Sequence, residues 1–364
     1  MLLGETRYQE MVNDGLKLSA EEIYNINQSS LKDAILIFGG GCTAEIVSDQ
    51  GLILTNHHCG YRRIQAHSTV ENDYLTNGYW AMSQEEELKN PGLSVKLLIR
   101  MDDVTDRILD GITEKTTEAR RMEIIEQNSF QVIEEETEGT HYKASVSPLY
   151  YGNQYFIYIY EEFEDVRLVG APPSAIGKFG GDTDNWMWPR HTGDFSVFRI
   201  YADKDNKPAP YSKDNVPYQP KRSLEISLSG IQPGDFTMVY GYPYTTNEYL
   251  TSYAVDMMRN DIYPATIDIR TAELNIINEV MNSDAALRIM YAGRQAGISN
   301  GWKKWKGVIK GLDNADVVSL KQREEHQFIN KLSLKSGWKE QYGELLGTFE
   351  TTYSSFDNLS SWRN

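Results

Sequence analysis

Residues 51–65, "GLILTNHHCGYRRIQ", place an apolar run directly before two adjacent histidines and a cysteine. The chain has only 6 histidines and 2 cysteines in 364 residues, so this stretch concentrates its rarest reactive side chains. A short apolar run bounded by turn residues is typical of a buried strand. We therefore expect His57, His58 and Cys59 to stand at the end of a strand.

Three interpretations of this cluster compete. A metal site would draw on His57, His58, Cys59 and His67, but adjacent residues of a strand point to opposite faces and no C-x-x-C or H-x-x-x-H spacing completes the ligand set. A structural interpretation places both histidines in a hydrogen-bond network. A third makes one of them the base of a catalytic triad, which requires a serine and an orienting carboxylate.

Length and composition restrict the class of protein. A chain of 364 residues with 40% hydrophobic residues predicts a globular protein, with two domains as the expectation and one large domain as the alternative. The formal net charge of −16 argues against a nucleic-acid partner, because phosphate binding needs clustered Lys and Arg. No apolar run reaches the length of a membrane span. The first residues, "MLLGETRYQE", do not have the pattern of a signal peptide.

The hydrophobic pattern predicts a region rich in strands followed by a helical region. Ser19 and Glu22 form a capping-box pattern before a short helix. Alternating, β-branched and aromatic segments then predict strands, interrupted by one charged helical segment at 113–138. The predicted strand segments are 34–59, 93–108, 141–151, 154–170, 195–202, 222–230 and 235–243. From Ala254 onward the apolar residues recur at helical spacing, so we predict a β-barrel catalytic domain over 1–253 and a helical domain over 254–364.

The two cysteines, Cys42 and Cys59, lie 17 positions apart, each beside a predicted strand. A disulfide between them would close a short loop and contribute about 3 kcal/mol to stability. Two buried free thiols are the alternative, and the cysteine count leaves both possibilities open.

The stretch "TNHHCG", residues 55–60, is similar to the T-A-A-H-C stretch of trypsin-like peptidases. This resemblance implies that His58 is the catalytic histidine, that His57 is its neighbour, and that Cys59 is bridged to Cys42. A triad also needs a carboxylate, and in this fold it heads a later strand. Asp194 in "WPRHTGDFSVFRIYA", residues 188–202, has that position. The alternative for Asp194 is a turn carboxylate, and Asp182 and Asp184 in a Gly-rich segment are rival acids.

Three long motifs extend the resemblance. They are "GGGCTAEIVSDQGLILTNHHCGY" at 39–61, "APPSAIGKFGGDTDNWMWPRHTGDFSVFRIYA" at 171–202 and "ISNGWKKWKG" at 298–307. Together they resemble the bacterial dipeptidyl aminopeptidases of the dipeptidyl-peptidase 7 and dipeptidyl-peptidase 11 type, from about Leu2 to the end. The resemblance implies a trypsin-like double β-barrel, here with an incomplete second barrel, and an inserted α-helical domain. It also implies a cofactor-free serine exopeptidase that takes oligopeptides with a free N-terminus, forms a homodimer, and works in the periplasm or at the surface of a Gram-negative bacterium.

The same resemblance assigns roles to individual residues. His58 matches the general base and Asp194 its orienting acid. Asn185 and Trp186, in "DTDNWMWP", match residues that bind the amine of the substrate, and Asn300, in "ISNGW", matches a third member of that group. An ammonium group has three donors and needs carbonyl or carboxylate acceptors. The alternatives are a packing role for Trp186 and a helix cap for Asn300.

One feature departs from the family pattern. The nucleophilic serine of the family lies in a "G-N-S-G-S" stretch, and no G-x-S-G occurs in these 364 residues. We therefore expect this polypeptide alone to be inactive and the longer protein to be the enzyme. A non-catalytic protein that binds peptide N-termini is the alternative function, and a metal-dependent hydrolase is a third.

Overall fold

A computed structural model describes residues 4–360, with the backbone alone for 357–360. Contacts within the chain define two compact units. Unit 1 comprises the described residues of Met1–His67, Tyr74–Gly177 and Gly193–Pro243. Unit 2 comprises Ser68–Asp73, Lys178–Thr192 and the described residues of Tyr244–Asn364. The predicted division into two domains at residue 254 concerns parts that fold independently, and it stays a prediction. The last four residues of the predicted helical domain, 361–364, lie outside the described residues.

Unit 1 is built on one antiparallel sheet of 11 strands. The strands are β1 Ile35–Phe38, β2 Cys42–Ile46, β3 Leu52–Thr55, β4 Tyr79–Trp80, β5 Leu88–Lys89, β6 Val95–Asp103, β7 Lys143–Leu149, β8 Gln154–Phe163, β9 Asp165–Ala171, β10 Ser196–Ala202 and β11 Val216–Pro217. The main path runs β4-β9-β10-β3-β2-β1-β6-β8-β7, with β11 paired to β10 and β5 to β9. The strands predicted between residues 35 and 55 and those predicted up to residue 202 are therefore found.

The α-helices of unit 1 are mostly short. They are α1 Glu5–Asn13, α2 Ala20–Ile23, α3 His57–His67, α4 Tyr74–Asn77, α5 Thr105–Ile108, α6 Glu118–Thr137 and α7 Ser174–Gly177. The capping box predicted at the start of α2 is present: Ser19 Oγ accepts the Glu22 N–H, and the Glu22 carboxylate accepts the Ser19 N–H at 2.8 Å. Helix α6 is the charged helix predicted to interrupt the strands.

The core of unit 1 lies where three neighbouring strands place large apolar side chains opposite one another. Phe198 of β10 is registered with Ile53 of β3, and Ile53 with Ile46 of β2. All three side chains are fully buried, and the Phe198 ring packs on Phe38 with centroids 4.8 Å apart. Burying a side chain of this size contributes about 1.5–3 kcal/mol, so this cluster fixes the register of β3 against β10.

Two strand predictions are wrong. In the described segments 222–230 and 235–243 the chain forms no strand. A strand requires a neighbour in register, and here the backbone makes only scattered bonds, such as Leu224 N–H to the Ile46 carbonyl at 2.8 Å. Ile226 and Val239, at alternating positions of their segments, are 63% and 101% exposed. Apolar and polar residues alternate in these segments as predicted, but among the described residues no neighbouring strand pairs with them.

Unit 2 is helical. Its helices are α8 Gly181–Asp184, α9 Ser252–Met257, α10 Tyr263–Ser283, α11 Ala285–Asn314, α12 Val317–Leu332, α13 Trp338–Tyr342 and α14 Leu345–Ser360, with a π-helical turn at Met258–Ile262. Leu274 and Ile277 of α10 pack against Ile298 of α11 to form a small core. Through the described part of the chain, no helix combines the length and the apolar character needed to cross a membrane.

Candidate functional site

Strand pairing in unit 1 brings the two ends of the predicted catalytic pair together. Strands β3 and β10 are antiparallel, and Ser196 at the start of β10 lies opposite Thr55 at the end of β3. The residues just before β10 therefore meet those just after β3. Because Asp194 comes two positions before Ser196 and His58 three positions after Thr55, both fall at this same edge of the sheet.

The two predicted residues are in direct contact. His58 Nδ1 lies 2.7 Å from Asp194 Oδ2, and the backbone N–H of His58 donates to Asp194 Oδ1 at 3.0 Å. An ionised carboxylate only accepts hydrogen bonds, so the neutral imidazole carries its proton on Nδ1. Its Nε2 is then unprotonated and can accept a proton. The hydrogen bond predicted between His58 and Asp194 is thus confirmed, and the side chain of His58 is 69% exposed.

The histidine pair is arranged differently from the prediction. His57 and His58 do not continue a strand; β3 ends at Thr55 and His57 begins helix α3. The prediction of a strand end failed because the apolar run predicts β3 but carries no signal for the helix after it. Within the first turn of a helix, consecutive side chains point about 100° apart. His57 turns inward, is 1% exposed and lies edge-on to Tyr61, while His58 turns outward to Asp194.

The carboxylate of Asp194 is held in its ionised form. Burial acts to raise the pKa of Asp194, but the hydrogen bonds from His58 and the charge that its imidazole carries when protonated outweigh the effect of burial, so the pKa lies below its ordinary value. The carboxylate also lies at the N-terminal end of α3, where unpaired N–H groups favour an anion. Asp194 therefore caps this helix and orients the imidazole with the same group.

Asn56 is a member of the site that the sequence did not reveal. Its side-chain Nδ2 donates to the backbone carbonyl of Asp194 at 3.2 Å, and its own carbonyl accepts the Gly60 N–H at 3.2 Å as α3 begins. Asn immediately before a helix is a typical N-cap residue. That signal is present in "NHHCG", but Asn indicates an N-cap only where a helix follows, and the apolar run before it predicts a strand.

The predicted disulfide between Cys42 and Cys59 is present, with 6.2 Å between the Cα atoms. It joins the first residue of β2 to the first turn of α3. Their sulfur atoms and a ring nitrogen of His58 lie close enough together to suggest a metal site by geometry alone. However, disulfide sulfur atoms are not thiolates, and thiolates are the sulfur ligands that metals bind. The disulfide therefore restrains the helix that presents His58.

Two serines near this region have hydroxyl groups that are already engaged. Ser196 is fully buried, and its Oγ donates to the Asn56 carbonyl at 2.9 Å. Ser174 Oγ donates to the Leu75 carbonyl. A hydroxyl that donates to a main-chain carbonyl is not hydrogen-bonded to a base in the manner of a nucleophile.

In unit 2, the three residues predicted to bind an amine lie together. Asn300 Oδ1 accepts hydrogen bonds from Asn185 Nδ2 and from Trp186 Nε1, each at 2.9 Å. The predicted proximity of residues 115 positions apart is confirmed. Trp186 has φ of +60°, in the left-handed region that a bulky residue rarely adopts, so its two indole hydrogen bonds to Asn300 hold a strained backbone.

Of the two amide oxygens here, Asn300 Oδ1 accepts two hydrogen bonds, whereas Asn185 Oδ1 has one approaching donor. Because Asn185 Nδ2 is directed to Asn300, its Oδ1 points to the other side, where Arg190 Nη1 approaches to 3.5 Å. Arg190 was not predicted from the sequence. Of the rival acids, Asp182 Oδ2 accepts from Gln295 Nε2 at 3.1 Å, and the side chain of Asp184 lies beside Gly180.

Comparison with known proteins agrees with these observations. The chain matches the Peptidase S46 family over residues 2–362. It is 51% identical over 356 residues to an Asp/Glu-specific dipeptidyl-peptidase of Capnocytophaga gingivalis, covering 98% of this chain and 50% of that protein. It is 43% identical over 364 residues to dipeptidyl-peptidase 7 of the same organism, covering 100% of this chain and 51% of that protein. The chain thus spans about half the length of these curated relatives.

The fold is shared with solved structures as well. A crystal structure of Porphyromonas endodontalis DPP11 in complex with the dipeptide Arg-Asp is similar with a TM-score of 0.87 and 38% sequence identity. The match covers 97% of this chain and 51% of that one. The mixed architecture, a large antiparallel sheet with a helical region, is therefore that of these peptidases. With the family match extending over nearly the whole sequence, the chain belongs to the Peptidase S46 family.

Proposed function

We propose that this chain supplies the general base, its orienting acid and part of the amine-binding site of a serine exopeptidase that releases dipeptides from free N-termini. The observation that carries the proposal is the contact of 2.7 Å between His58 Nδ1 and Asp194 Oδ2 on an exposed imidazole. The names of the relatives, which are dipeptidyl-peptidases, support the reaction.

In the proposed reaction His58 acts through Nε2. Its Nδ1–H donates to Asp194, so Nε2 takes the proton of the attacking serine and later delivers it to the leaving amine. Asp194 remains ionised and stabilises the imidazolium that forms between these two transfers. The bond from Asp194 to the His58 backbone N–H keeps the acid in place throughout.

The nucleophile of this reaction is proposed to be a serine outside the 364 residues, since these contain no G-x-S-G. The loop of that serine would also supply the oxyanion donors. The match covers 50% of the Capnocytophaga gingivalis relative, so the other half of such a protein is long enough to hold the serine and its loop.

The free amine of the substrate is proposed to bind at Asn185, Trp186 and Asn300. Because an amide oxygen has two lone pairs, Asn185 Oδ1 can accept an ammonium hydrogen in addition to the approaching Arg190 Nη1. The bond from Asn185 Nδ2 to Asn300 holds that oxygen in one orientation. A site built to hydrogen-bond a charged amine discriminates strongly against a blocked one, because its polar groups are then left unpaired. This discrimination restricts the enzyme to chain ends.

The trypsin-like double barrel is also part of the proposal. It is supported by the pairing of β3 with β10, which brings His58 and Asp194 together at one edge of the sheet. We propose in addition that the full-length protein is a homodimer and that it works in the periplasm or at the surface of a Gram-negative bacterium. The disulfide is consistent with an oxidising compartment.

The catalytic assignment is tested in the full-length protein with dipeptidyl reporter substrates. His58→Ala and Asp194→Ala should each lower kcat by several orders of magnitude. His141→Ala is the matched control, because His141 Nε2 also contacts a carboxylate, Glu161, at 2.6 Å. Equal losses in His141→Ala and His58→Ala, or retained activity in His58→Ala, would reject the assignment. A full-length protein that binds free N-termini without releasing dipeptides would favour the non-catalytic alternative.

The amine-binding assignment has its own test. Asn300→Ala should raise KM for a free-amine substrate, because Asn185 and Trp186 lose their common acceptor. An N-acetylated substrate should be a poor substrate for the wild type. If the wild type cleaves both substrates equally well, the proposed recognition of the amine is wrong.

A further inference from the structure

Lys303 of helix α11 makes contacts that the proposed reaction does not use. Its Nζ donates to the main-chain carbonyl of Asp182 at 2.6 Å and to that of Thr183. Lys303 follows Asn300 by three positions, so both side chains lie on neighbouring positions of one helix face. One helix therefore presents both an amine-site residue and this ammonium group.

The segment that Lys303 contacts has little structure of its own. Helix α8, Gly181–Asp184, is one turn long, so its last carbonyls have no partner within the helix. Gly180 and Trp186, on either side of it, have φ of +76° and +60°. Isolated single turns are unstable in water, and the conformation must therefore be imposed from outside.

Helix α11 is the element that imposes it. Three of its side chains hold the segment at successive points: Gln295 bonds to Asp182 Oδ2, Lys303 to the carbonyls, and Asn300 to the side chains beyond them. At 30 residues, α11 fixes the spacing of these contacts. Of the three, Lys303 contributes charge-assisted hydrogen bonds, which are about twice as strong as neutral ones.

We infer that Lys303 is a positioning residue of the amine-binding site. By holding the Asp182 and Thr183 carbonyls against α11, it places Asn185 and Trp186, which follow after Asp184, where both reach Asn300 Oδ1. Lys303 acts through those side chains and does not itself bind the substrate. The role in amine binding rests on the proposed function.

The kinetic test uses the full-length protein. Lys303→Met keeps the aliphatic stem and removes the donors, and it should raise KM for a free-amine dipeptidyl substrate about tenfold with kcat changed by about twofold or less. Lys303→Arg keeps the charge and multiple donors and should restore most of the KM. Lys310→Met, an exposed lysine of the same helix, is the charge-matched control and should leave KM unchanged. An unchanged KM in Lys303→Met, or an equal rise in Lys310→Met, overturns the inference.

A second measurement follows the segment directly in the 364-residue chain. In Lys303→Met, amide hydrogen exchange should accelerate in residues 178–192, while residues of unit 1 exchange as in the wild type. Unchanged exchange in 178–192 overturns the inference, whatever the kinetics. If the full-length wild type releases no dipeptides, the proposed function fails, and the exchange measurement alone then decides whether Lys303 positions the segment.

Discussion

Asp194 binds His58 at two atoms at once. One carboxylate oxygen contacts the imidazole Nδ1 at 2.7 Å, and the other accepts the backbone N–H of the same residue at 3.0 Å. The acid is thus fixed to the start of a helix and to the side chain that the helix carries. Any change at Asp194 should affect both which imidazole nitrogen carries the proton and the stability of the helix end.

Replacing the acid by its amide separates these effects. In full-length Asp194→Asn, the amide oxygen can still accept the backbone N–H, but the NH₂ group faces Nδ1 and moves the ring proton to Nε2. We expect kcat to fall by about 10⁴-fold with a small change in KM. Glu161→Gln, which alters the carboxylate beside His141, is the control and should have nearly wild-type kcat. A loss of less than about tenfold in Asp194→Asn would contradict the role of the acid.

The lowered pKa of Asp194 predicts a pH-dependent contribution to stability. Because the folded-state pKa lies below the unfolded value of about 3.9, the contribution is fully present above that value and is lost as the pH falls through the folded-state pKa. Urea unfolding of the wild type and of Asp194→Asn should therefore differ by about 1 kcal/mol or less at pH 6. The difference should shrink below about pH 4. A difference that grows in acid would show the opposite sign of shift.

Gly177 leaves room for the buried histidine. A Cβ at this position would lie 2.6 Å from His57 Cγ, closer than carbon atoms approach without a shift. We expect Gly177→Ala to lower the free energy of unfolding by about 1–3 kcal/mol. Gly40→Ala, where an added Cβ meets no atom within 4 Å, should change it by about 0.5 kcal/mol or less. Equal effects of the two variants in urea unfolding would show that His57 moves aside freely.

The disulfide should be detectable by chemistry and by stability. Titration of the unfolded, unreduced protein should find essentially no free thiol, since Cys42 and Cys59 are the two cysteines of the chain. The double variant Cys42→Ser/Cys59→Ser should lose about 3 kcal/mol of unfolding free energy. A reducing agent should destabilise the wild type but not this variant. Two reactive thiols in the unreduced protein would refute the bridge and weaken the proposal of an oxidising compartment.

The 364-residue polypeptide by itself should be inactive. A base without a nucleophile forms no acyl-enzyme, and the hydroxyls of Ser174 and Ser196 donate to main-chain carbonyls. We expect no dipeptide release from reporter substrates and no labelling by a fluorophosphonate. The full-length protein should show both. Stoichiometric labelling of the short chain, mapped to Ser174 or Ser196, would identify a different nucleophile and overturn the proposed mechanism.

The local sequence pattern was sufficient to predict those elements whose hydrogen-bond partners lie nearby in the chain. Strands β1, β2 and β3 were predicted because their apolar residues are consecutive or alternate and their turns contain glycine. The capping box at Ser19 was predicted for the same reason, since all its hydrogen bonds lie within four residues. Residues 222–243 show the limit: their alternation predicts strands, but strand formation requires a neighbour that the described residues do not provide.

The sequence by itself was sufficient to select the candidate residues of the site. The motifs around His58, Asp194, Asn185 and Asn300 were sufficient to name them, because their similarity to a known family extends over long stretches. The tertiary structure decided how they are arranged. It separated an inward His57 from an outward His58 at a helix start, and it revealed Asn56 and Lys303 through contacts that cross more than 100 positions. Such contacts depend on which strand pairs with which and on where one helix packs, and neither is encoded in any local window of sequence.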